Sequence, residues 1–120
     1  HYCNPRLSHQ ERARSRPLTL SIMTWFWNTW LGSTPPGDAH LARPLLSQSL
    51  ATLPPLFNVT AEYDVLRDEG RAFTEAVQRA GVAVEHHHFS KSVHGFACSS
   101  GPTDDFQRNM DNLVSWLRKL

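Results

Sequence analysis

Residues 56–89 carry the pattern that most limits how this chain folds. "LFNVTAE" (Leu56 to Glu62) is short, rich in β-formers and almost free of charge until its end, as in a strand buried on both faces. "RDEGRAFTEAVQRAG" follows, with Phe73, Ala76, Val77 and Ala80 on one helical face and Gly81 as its C-terminal stop. "VAVEHHHF" (Val82 to Phe89) is a second strand. Two strands joined through a helix run parallel in one sheet, because the helix is the crossover that parallel pairing requires. The fold class is therefore α/β. Two strands cannot bury the apolar surface of flanking helices and four tryptophans, so the rest of the sheet is expected upstream.

The remaining segments frame this unit within one partial domain, residues 1–120. The first 17 residues, "HYCNPRLSHQERARSRP", are polar and basic and read as loop, so order is expected to begin near residue 20. "LTLSIMTWFWNTWLG" places Ile22, Trp25, Phe26 and Trp30 at helical spacing, which predicts a helix over 21–32 closed by Gly32. "STPPGDAHLARPLLSQSLATLPP" is proline-rich and irregular, with at most a turn around Ala39 to Ala42. Residues 54–120 hold strand, helix, strand and helix. "KSVHGFACSSGPT" reads as a loop. The last helix opens at Thr103 with two aspartates in its first turn and turns Phe106, Met110, Leu113, Val114 and Leu117 inward.

Composition removes several functions. Net charge is +1 and the pI is near 8.1, so nucleic acid and anionic membrane surfaces are not expected partners. The "ERARSR" run lacks interleaved aromatics and reads as a solvated loop. Leu18 to Gly32 is too short to span a bilayer. Cys3 and Cys98 form no spaced motif and read as free thiols. The chain starts at His1 without a processing signal, which predicts a piece of a longer polypeptide.

Chemistry in open α/β sheets gathers at the carboxyl ends of the strands. Asp64 lies two residues past Glu62 and His94 five past Phe89, so both belong to that edge. Neighbouring parallel strands run about 4.8 Å apart, close enough for the carboxylate and the imidazole to share a hydrogen bond. Such an acid holds the ring in one tautomer and stabilises its protonated form. Gly95 allows a tight turn behind the histidine.

With those residues in view, the chain resembles the C-terminal portion of the hormone-sensitive-lipase-like branch of the α/β-hydrolases, which includes bacterial carboxylesterases and arylacetamide deacetylases. The similar features are "LPP" before the first strand, "AEYD" at its end, "LRDEG" into the helix, "AG" at the helix end and "HGF" in the next loop. "WFWNTWLG" and "RPLLSQ" extend the similarity over roughly Trp25 to Leu120. Val65 departs from the family, which usually places proline after the acid. The resemblance implies the last two parallel strands of the hydrolase sheet with flanking helices and part of the cap. It makes Asp64 the acid and His94 the base of a Ser-His-Asp triad, and lets Trp25, Phe26 and Trp30 line an acyl pocket. Asp68 and Glu69 would be structural, at a helix N-terminus. The expected substrate is a small-molecule ester, with no cofactor or metal and with the upstream part of the same polypeptide as partner. Neither the Gly-x-Ser-x-Gly elbow nor the His-Gly-Gly oxyanion segment occurs in these 120 residues. Ser92, Ser99 and Ser100 read as loop serines outside any elbow. The other reading is an inactive truncated remnant or an interaction-only protein.

The run His86, His87, His88 is the rival chemical feature. Alternation sends His86 and His88 to one face and His87 to the other, and no third ligand with metal spacing accompanies them. They read as solvent-side histidines of an edge strand. "NVT" at Asn58 is a glycosylation sequon that a buried strand would hide.

Overall fold

The computed structural model describes residues 6–32, 43–98 and 103–120. Its elements are α1 (Leu7–Glu11), α2 (Leu20–Leu31), two short 3-10 turns (Pro44–Leu46 and Leu50–Thr52), β1 (Leu56–Tyr63), α3 (Arg67–Arg79), β2 (Val84–Val93) and α4 (Asp104–Leu117). Among the described residues β1 and β2 form a two-stranded parallel sheet, with Leu56 opposite Val84 and Ala61 opposite Phe89. The strand–helix–strand unit is thus as the sequence predicts.

The two long helices cover opposite faces of this sheet. On one face, the Asn58 amide donates to Gly70 O (3.0 Å) and Thr74 Oγ1 (2.6 Å) of α3. The sequon asparagine is therefore held by an internal bond. On the other face, Phe57 stacks on Trp116 of α4, with centroids 5.5 Å apart. Successive strand residues alternate between faces, so adjacent Phe57 and Asn58 address different helices. Met23, Ala61, Val65, Val77 and Phe89 are buried. Thr103 caps α4 by accepting from Phe106 N, while Asp104 and Asp105 stand in its first turn, where the helix dipole favours them. The predicted apolar face of α4 is incomplete: Val114 and Leu117 are exposed, and Asn109 is buried instead.

Three expectations need correction. The first 17 residues are not all loop: Leu7–Glu11 is helical, and Ser8 and His9 are buried. β2 does not end at Phe89 but continues to Val93, which takes Ser92 out of the loop and into the strand. The histidine run is hydrogen-bonded rather than simply turned to solvent: His86 and His87 are half-buried, and His88 alone is exposed. Thr60 Oγ1 lies 2.9 Å from His86 Nε2 and 3.0 Å from His88 Nδ1, while His87 Nε2 meets Glu85 Oε1 at 3.0 Å on the other face. Burial, reinforced by the nearby charges of His88, Arg71 and His87, lowers the His86 pKa below its ordinary value. Ala39 to Ala42, Cys3, Ser99 and Ser100 lie outside the described residues.

Gly70 gives a testable packing statement. It lies within α3, and a Cβ there would stand 2.8 Å from Thr60 Cγ2. Thr60 is buried and bonded to two histidines, so it yields poorly. An exposed helical Gly→Ala change stabilises by about 1 kcal/mol, whereas overpacking costs about 1–3 kcal/mol. Gly70→Ala is expected to lower the thermal midpoint; a raised midpoint would show that the strand and helix part freely here.

Candidate active site

The carboxyl ends of β1 and β2 meet because β2 carries a bulge. From the pair Ala61/Phe89 to the pair Tyr63/Val93, β1 advances two residues and β2 advances four. In unbroken register Asp64 would face Ser92. The two extra residues bring His94 to that place instead. Asp64 and His94 each directly follow the last residue of their strand.

At this edge a carboxylate and an imidazole are joined directly. His94 Nδ1 and Asp64 Oδ2 are 2.8 Å apart. Asp64 Oδ1 accepts from Leu66 N at 2.8 Å, and its main-chain carbonyl accepts from Arg67 N at 3.2 Å, so the carboxylate is fixed by its own turn. Its side chain is 13 % exposed against 38 % for His94, so the acid is the sheltered member and the ring reaches outward. A donating Nδ1–H leaves Nε2 with the lone pair, ready to accept a proton. Behind the ring, Phe96 N donates to Val93 O at 3.2 Å, and Gly95 takes φ 74°, a value that side-chain-bearing residues rarely adopt. Phe96 then packs on Phe89 at 4.7 Å.

The hydrogen bond that His94 donates to Asp64 raises the His94 pKa above its ordinary value, outweighing the opposing effect of burial. A pKa raised by folding stabilises the folded state fully below the unfolded value, near 6.5, and that contribution is lost as pH rises through the folded pKa. Stability measured from pH 6 upward is expected to fall through this window, and Asp64→Asn is expected to flatten the slope. An unchanged slope in the variant would place the titration elsewhere.

The remaining charges of "YDVLRDEG" hold the corner in place. Arg67, 6 % exposed, reaches three carboxylates: Glu62 Oε1 at 2.6 Å, Asp68 Oδ1 at 2.8 Å and Glu11 Oε2 at 2.9 Å. Arg12 bonds the Glu62 carboxylate, donates to Glu62 O at 3.1 Å and lies over the Tyr63 ring at 4.9 Å. Ser8 Oγ donates to Val65 O at 2.9 Å, and Ser8 N donates to Asp68 Oδ2 at 2.8 Å. Val65 itself is fully buried, so packing and the Ser8 bond fix the residue after the acid, where proline is usual. Glu69 stands with Asp68 in the first turn of α3. The Arg12 hydrogen bond, aided by Arg67, lowers the Glu62 pKa. Burial opposes charge on Asp68, but the Arg67 and Ser8 hydrogen bonds outweigh it and lower its pKa too. Sequence reasoning missed Ser8, Arg12 and Arg67; the one local hint was a basic segment, "ERARSR", facing an acidic one, "RDEG".

Trp25, Phe26 and Trp30 stand exposed on α2, with Trp25 and Phe26 edge to face at 5.1 Å. Trp25 also lines an open groove with Arg14, Leu20, Thr24 and Asn28. These rings form a surface rather than an enclosed pocket. Among the described residues no group of three or more His, Cys, Asp or Glu could hold a metal ion, and no helix is long and apolar enough to cross a membrane. Cys98 is an exposed free thiol.

Comparison with known proteins places this chain in a family. A family model described as alpha/beta hydrolase fold matches residues 3–98. Carboxylic ester hydrolase LipN of Mycobacterium tuberculosis is 37 % identical over 81 residues, covering 66 % of this chain and 21 % of that protein. Arylacetamide deacetylase of Rattus norvegicus is 36 % identical over 80 residues, covering 65 % and 20 %. Among solved structures, the metagenomic thermostable carboxylesterase EstE1 superposes with a TM-score of 0.85 at 31 % identity, over 96 % of this chain and 40 % of that one. The chain spans about a fifth of the length of these curated relatives. The chain thus belongs to the alpha/beta hydrolase fold family, in its hormone-sensitive-lipase-like branch.

Proposed function

We propose that Asp64 and His94 are the acid and base of a Ser-His-Asp triad in a hydrolase of small carboxylic esters. The nucleophilic serine and the oxyanion donors would stand in polypeptide outside these 120 residues. The observation that carries this reading is the 2.8 Å bond between His94 Nδ1 and Asp64 Oδ2 at the edge where such sheets do their chemistry. His94 Nε2 takes the serine proton as the hydroxyl attacks the ester carbonyl, then gives it to the leaving alcohol. Asp64 keeps Nδ1–H donating and stabilises the imidazolium that forms. Backbone donors hold the oxyanion. Water, activated by the same histidine, releases the acid. This chemistry draws on no cofactor. Trp25, Phe26 and Trp30 offer an apolar wall for the acyl group once other chain encloses them.

The chain by itself is expected to show no turnover of a short acyl ester. Turnover abolished by His94→Ala would contradict this and reveal an unrecognised nucleophile within the 120 residues. The second reading is an inactive truncated remnant or an interaction-only protein. Reading the source gene upstream of the His1 codon separates the two: an in-frame His-Gly-Gly segment followed by Gly-x-Ser-x-Gly supports the hydrolase, and a stop codon supports the remnant.

A further inference from the structure

The bulge that delivers His94 is held by a second side-chain circuit, independent of Asp64. Ser92, at the end of the bulge and two residues before His94, is 7 % exposed. Its Oγ donates to Asp105 Oδ2 at 2.5 Å, in the first turn of α4. Asp105 Oδ1 accepts from Arg108 at 2.5 Å, and the Arg108 guanidinium lies 5.0 Å over the Phe89 ring. Phe89 is the last residue before the bulge, and it packs on Phe96 beyond the histidine. The circuit therefore closes around residues 89–96, tying both sides of His94 to α4 and to the core.

A bulge leaves strand residues without ladder partners, so ladder bonds alone do not fix the register there. A slip of one residue would turn His94 to the other face and break its bond to Asp64. We propose that Ser92 and Asp105 are positioning residues that lock the β2 bulge and so hold the His94 imidazole on Asp64. The inference rests on His94 being the base of the proposed triad. Neither residue touches a reacting atom; they act through the register of the strand.

The test is proton NMR of the chain itself, following the His94 titration and its low-field Nδ1–H resonance, with thermal melts as a folding control. Asp64 is the charged group that acts on the ring, and Asp105 is engaged by Ser92 and Arg108. Ser92→Ala keeps every charge. It is expected to lose the low-field resonance and to shift the His94 pKa toward the ordinary 6.5 in a folded protein. Asp105→Ala is expected to do the same, while Asp105→Asn, which keeps an acceptor oxygen, retains the resonance. Should Ser92→Ala not fold, the contrast between the two Asp105 variants decides. A folded Ser92→Ala with wild-type titration and resonance would overturn the proposal. So would equal losses in both Asp105 variants, which would assign the effect to charge through space. The readout needs no turnover, so a missing esterase activity leaves it standing; a wild-type His94 without the resonance would overturn both readings.

Discussion

Under the proposed function, Asp64→Asn in a polypeptide that also supplies the proposed serine is expected to lower kcat by a factor on the order of 10⁴ with little change in KM. The asparagine fits the same space and can still accept from Leu66 N. Its amide, however, no longer favours a donating Nδ1–H or balances the imidazolium. The structure makes this loss specific, because Asp64 is the group that raises the His94 pKa. The sign for activity follows: the base must be neutral, so the rate rises with pH through the raised pKa of His94. In Asp64→Asn the residual rate should reach its plateau at lower pH. A variant with wild-type kcat, assayed over short acyl esters, would remove Asp64 from the chemistry.

Arg67→Ala is expected to be the most damaging single change to stability, at about 3 kcal/mol. The guanidinium is buried and bridges Glu62, Asp68 and Glu11. Removing it leaves carboxylates facing one another across the corner that carries Asp64, although partial exposure lets water relieve some of the cost. The effect also has a pH signature. Glu62 and Asp68 have lowered pKa values, so their contribution is present above the unfolded carboxylate range and lost as pH falls through the folded values. Arg67→Ala should therefore lose much of the stability difference between pH 7 and pH 3. A free energy of urea unfolding within about 0.5 kcal/mol of wild type would show the network to be solvated and weak.

What the sequence disclosed, and what it hid, divides along the range of the interactions. The run of β-formers in "LFNVTAE" and the 3.6 period from Phe73 to Ala80 depend on near neighbours, so the strand–helix–strand unit was legible. Asp64 and His94 were legible because strand ends are where such groups gather, and because "AEYD" and "HGF" each keep their local turn. The bulge was not: nothing between Phe89 and Val93 marks an extra pair of residues, and only its partner strand reveals the offset. α1 was read as loop because a five-residue helix has no propensity to exist alone. It is ordered by Ser8 and Arg12 reaching residues some fifty to sixty positions away. The bonds of His86 and His88 were hidden because Thr60, which meets both rings, lies on the neighbouring strand.

A double-mutant cycle on kcat tests the triad most directly. It compares Asp64→Asn, His94→Ala and both together in the complete polypeptide, with ester turnover as the readout. If the two residues act as one unit, the double variant is no slower than His94→Ala alone, because an acid without its base has nothing to orient. Independent losses that multiply, or turnover that survives His94→Ala, would contradict the assignment of Asp64 and His94 as acid and base of one triad.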